Sequence, residues 1–65
     1  MKPDAFSYHE VVDRTSVIIE TLDNALGNHP VVTRHPELKK ALQQTVDSLY
    51  AMYTLAARIS SEEYP

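Results

Sequence analysis

Along the chain, apolar residues recur at alternating steps of three and four, the period of a helix with one greasy side. The first such run is Tyr8, Val11, Thr15, Ile18, Leu22 and Ala25, widened on one side by Val12, Ile19 and Leu26. The second is Leu38, Leu42, Thr45, Leu49, Met52, Ala56 and Ile59, flanked by Val46 and Tyr53 on one side and by Ala41 and Leu55 on the other. No stretch alternates with the two-residue period of a strand, and no segment repeats. The pattern predicts an all-α fold of one domain over residues 1–65. A first helix spans about 7–27, a turn 28–35, a second helix about 36–60 and a frayed tail 61–65.

Punctuation residues set those limits. Ser7-Tyr8-His9-Glu10 has the spacing of a capping box, and Phe6 with Val11 that of a hydrophobic staple. Gly27 stands where a helix ends on a left-handed glycine. Pro36 suits the first position of the next helix, Glu37 the positive end of its dipole and Arg58 the negative end. The linker between them is short enough to make the helices antiparallel.

Each stripe is broader than the seam that two side-by-side helices cover. The expected architecture is therefore an antiparallel two-helix hairpin that assembles into an oligomeric, four-helix-bundle-like core. Val11, Ile18, Leu22, Leu42, Leu49, Met52 and Tyr53 are the expected interface between protomers. Val17, Tyr50 and Leu55 fall off the main stripes and form a candidate patch for a partner protein. At 65 residues without cysteine, neither disulfides nor thiolate metal sites supplement a small core, which adds weight to self-association.

Composition narrows the function. No apolar run approaches the ~20 residues of a membrane span, and Met1-Lys2-Pro3-Asp4 lacks the apolar core of a secretory signal. A soluble, cytoplasmic protein without membrane contact is expected. Six lysines and arginines against nine acids give a net charge of −3, the wrong sign for a general nucleic-acid binder.

Catalytic patterns are missing. The single glycine excludes a glycine-rich phosphate loop, and no serine has a base and orienting group in its sequence context. The chain is expected to be no enzyme and to need no cofactor. His9 with Asp13, and Glu10 with Arg14, read as surface pairs one helical turn apart. His29 and His35 both precede proline in a turn, so no metal site is expected of them. Thr15 and Thr45 fall within the stripes, where a helical threonine bonds its hydroxyl to a preceding carbonyl. Lys39 and Lys40 are expected to lie near Glu20 and Asp23 at the end of the first helix. Arg34, without such a partner and next to a helix start, is a candidate phosphate contact.

The segments "LDNALGNHPVVTRHPEL" and "SLYAMYTLAARISSEEYP" together resemble phage helical-hairpin proteins that sequester the cyclic nucleotide messengers of bacterial immunity, the anti-CBASS and anti-Thoeris sponges. The likeness covers roughly half the chain. His35-Pro36 takes the place of the family's acidic-Pro helix start, and Tyr50-Ala51-Met52-Tyr53-Thr54 that of its aromatic stretch. Leu38 stands where the family has tryptophan, and the N-terminal segment is shorter. The resemblance implies compact homo-oligomers that bind cyclic nucleotides between protomers without cleaving them. Tyr8 and Arg14 would then contact the ligand, with Arg34 a further phosphate contact. Two other readings follow from the hairpin alone: an inhibitor or adaptor that grips a host protein through an apolar helix face, and an RNA-binding hairpin dimer.

Overall fold

A computed structural model describes residues 4–64. The described residues contain no strand, and the helices run α1 (Ala5–Leu26), α2 (Pro30–Arg34) and α3 (Pro36–Glu63). α1 and α3 pack side by side as an antiparallel hairpin about 45 Å long, and α2 fills the bend. Met1, Lys2 and Pro3, on which the reading of the leader rests, and Pro65 lie outside the described residues. No described helix is long and apolar enough to cross a membrane.

α1 begins before Ser7. Asp4 is its cap: the Asp4 carboxylate accepts from the Ser7 backbone N–H at 2.9 Å and from the Ser7 hydroxyl at 3.0 Å. An anion at this end complements the helix dipole better than a hydroxyl does, and starting here adds hydrogen-bonded residues. Those hydrogen bonds hold the Asp4 carboxyl below its ordinary pKa. The capping box and staple are consequently absent. Glu10 pairs with Arg14 at 3.0 Å, and Phe6, inside the helix, is 72% exposed.

The bend also differs from a plain turn. Gly27 is right-handed, with φ −57° and ψ −37°, and its N–H donates to the Asp23 carbonyl at 2.8 Å. Glycine is required here by space. A Cβ on residue 27 would lie 2.5 Å from the Asp23 carbonyl oxygen. Replacing a right-handed glycine with alanine usually stabilises, but Gly27→Ala should lower stability by about 1–3 kcal/mol through overpacking. Urea unfolding of the two proteins at equal concentration measures the sign. Beyond it, His29 Nδ1 accepts from the Val31 N–H at 3.2 Å and Pro30 opens α2. Pro36 forces His35 into extended backbone, φ −112° and ψ 107°, which ends the short helix and starts α3.

The tail joins the hairpin as well. α3 continues through Glu63, and Ser60 is buried. Tyr64 meets Tyr8 edge to face, with ring centroids 5.4 Å apart. Partial burial, then Tyr8, Asp4 and Glu63, push the Tyr64 phenol above its usual pKa.

Within the hairpin the seam is narrow. Thr15 and Ile19 of α1 and Ser60 of α3 are buried, with Tyr8, Val12 and Leu22 facing Leu42, Val46, Leu49 and Ala56 at intermediate exposure. Thr15 Oγ1 donates to the Val11 carbonyl at 2.7 Å, so its methyl packs in the seam without an unsatisfied hydroxyl. Ile19 is the one buried apolar residue among the described residues.

Candidate functional site

Two turns of helix, seven residues, return nearly to the same face. Val11, Ile18 and Ala25 therefore line one flank of α1, and Leu38, Thr45, Met52 and Ile59 one flank of α3. Both flanks belong to the same side of the hairpin. Val11 and Ile59 line a common apolar groove with Tyr8 and Ala56. Ile18 is 53% and Met52 51% exposed, and Val11, Leu38 and Ile59 are also exposed. The reverse side is more polar: Ser16 and Glu20 line a groove with Ile19, Tyr50 and Tyr53, and His9, Ser60, Ser61 and Tyr64 line another.

The expected interface residues are thus divided. Val11, Ile18 and Met52 stand on the exposed apolar side. Leu22, Leu42 and Leu49 fill the seam within one chain, and Tyr53 sits at the seam's polar edge. Tyr50 and Leu55 line one shallow groove with Asp47 and Arg58, whereas Val17 points away from Thr15 and Ile19 on α1. The candidate partner patch is therefore not continuous.

The candidate ligand residues share no common contact in the hairpin. Tyr8 borders the apolar groove, and Arg14 stands three residues after Val11 and four before Ile18, beside them on the helix surface. Its pair with Glu10 is exposed on both sides; such pairs hold about 0–1 kcal/mol, so a phosphate can compete for the guanidinium. Arg34 ends α2, at the other end of the molecule. Among the described residues the ion pairs are Arg14–Glu10, His35–Glu37 and Arg58–Glu62. The expected pairing of Lys39 or Lys40 with Glu20 or Asp23 is not among them, and all four residues are exposed.

No family model, curated protein or solved structure matches the chain.

Sequence reasoning missed two features of this surface. Ser60 was given no place in the second stripe, although it is seven residues from Tyr53 and continues the α3 seam. The sidedness of the hydrophobic excess was also hidden, because a helical stripe shows its width in sequence but not which half the neighbouring helix covers. Among the described residues no group of three or more His, Asp or Glu gathers as a metal-ligand set. His29 has its Nδ1 engaged in capping α2.

Proposed function

We propose that this chain is a non-enzymatic binding protein that works as a self-associated hairpin. It holds an anionic small molecule, a cyclic nucleotide signal, at the boundary between protomers, in keeping with a phage counter-defence role in the cytoplasm. The observation that carries self-association is an area. The hairpin exposes 5229 Å² at 7.4 kDa, about 1,000 Å² more than the ~4,200 Å² expected of a compact monomer of that mass. A second copy removes surplus of that kind, and Val11, Ile18, Leu38, Met52 and Ile59 offer it a continuous exposed apolar strip.

Ligand chemistry enters at the rim of that side. Tyr8 offers a ring for a base, and Arg14 a planar fork for a phosphate. Both border surface that association would dry, where a charge-assisted hydrogen bond gains strength. The net charge of −3 works against long nucleic acids but not against a ligand small enough to see one arginine.

Thermal melting with cyclic dinucleotides and cyclic trinucleotides tests this. A ligand at 100 times its Kd adds about 2.7 kcal/mol, a rise in Tm of roughly 10–20 °C for a domain of this size. Arg14→Ala should remove most of the rise. An unchanged Tm with every cyclic nucleotide overturns the ligand assignment, and a rise that persists in both Arg14→Ala and Tyr8→Ala overturns the site.

A further inference from the structure

We infer that the apolar side is covered by a second copy lying antiparallel to the first, its two-fold axis crossing the hairpin between residues 21 and 22 of α1 and between 48 and 49 of α3. The inference rests on the self-association proposed above and adds the direction of pairing.

The argument is one of side-chain volume. Val11 and Ile59 lie level, since they line one groove. α1 and α3 run in opposite directions with the same rise per residue, so the next layers, about 10.5 Å apart, are Ile18 with Met52 and then Ala25 with Thr45. Leu38 closes the stripe at the bend. Thr45 gives its hydroxyl to the Ala41 carbonyl at 2.9 Å and so presents a methyl.

A copy pointing the same way stacks each layer on itself. Ile18 and Met52 then meet Met52 and Ile18 of the second chain in an overfilled layer, next to a hollow one made of two alanines and two threonines. Close packing tolerates neither. A copy pointing the opposite way sets Ile18 and Met52 against Ala25 and Thr45 of the second chain, twice, and Leu38 against Ile59. Large meets small in every central layer. The molecule's extents are 45 × 19 × 15 Å, so a long side of the hairpin is large enough to hold the ~800 Å² per partner of a standard interface.

Thr21 and Ser48 are exposed, stand at the edge of this side and lie next to the inferred axis. In the antiparallel pair each faces its own duplicate. In a parallel pair α1 lies over α3, and Thr21 instead comes level with Ser48. Because the chain has no cysteine, T21C and S48C report the difference directly under mild oxidation, as a disulfide forms only between Cα atoms about 4.4–6.8 Å apart. Each variant alone should shift from monomer to covalent dimer on a non-reducing gel, while S16C, on the polar side, should not. Crosslinking seen only in the T21C and S48C mixture, or equally in S16C, overturns the antiparallel pairing. Sedimentation of the unmodified protein separates the two proposals: a monomer defeats self-association itself, whereas a dimer with the wrong crosslinks defeats only the direction.

Discussion

Ile18→Lys should dissociate the proposed assembly. Ile18 is half exposed in the single chain, so the substitution leaves the hairpin seam intact. In an isologous pair it enters twice. Each lysine costs about 2 kcal/mol or more when its ammonium is dried without a partner, and the two together weaken association by roughly three orders of magnitude at 1.4 kcal/mol per tenfold. Sedimentation equilibrium over a dilution series measures the change, with helix content followed by circular dichroism. Ser16→Lys, on the polar side of the same helix, should leave the mass unchanged. A parent that sediments as a monomer at micromolar concentration, or an Ile18→Lys protein as tightly associated as the parent, would contradict the role given to this side.

Ile19→Ala, one residue along, should act by another route. Its side chain is 7% exposed and fills the seam between α1 and α3. Truncating a buried isoleucine to alanine costs about 2–5 kcal/mol, and to valine about 0.5–1.5. A chain of 65 residues holds only about 3–10 kcal/mol in total, so the alanine variant stands close to its unfolding midpoint. Urea unfolding at one fixed protein concentration, necessary for any protein that associates, should place Ile19→Val between the parent and Ile19→Ala. A loss under 1 kcal/mol for the alanine variant would mean that the seam is not where this hairpin stores its stability.

These adjacent isoleucines also mark how far the sequence could be read. Periodicity located both helices and the all-α class, because a three-and-four spacing sustained over twenty residues admits no other regular structure. It could not sort Ile18 from Ile19, since both belong to one broad stripe and only the position of α3 separates them. The ends went astray for local reasons. Ser7 looked like a cap, but Asp4 three residues earlier supplies a charged acceptor and takes the role. Gly27 looked left-handed, yet it is glycine because the Asp23 carbonyl leaves no room for a methyl. The bend is partly helical because Pro30 and Pro36 fix where a helix starts and stops, and residues 30–34 between them suffice for a turn of α2. Of the candidate site, Tyr8 and Arg14 came from the family resemblance, and both stand along α1 near Val11, six residues apart. Arg34 lies at the far end, a separation that no spacing along the chain reveals.

The meeting of Tyr8 with Tyr64 has a practical bearing on how this chain can be attached to anything else. The described ends of α1 and α3 meet at the tip opposite the bend, so a fusion partner, label or surface tether attached beyond either one is carried at that tip. Arg34, His29 and His35 then stay unobstructed. Two chains lying head to tail would carry such additions to opposite tips, about a hairpin length apart, which makes paired fluorophores on a single terminus a ruler for the pairing itself.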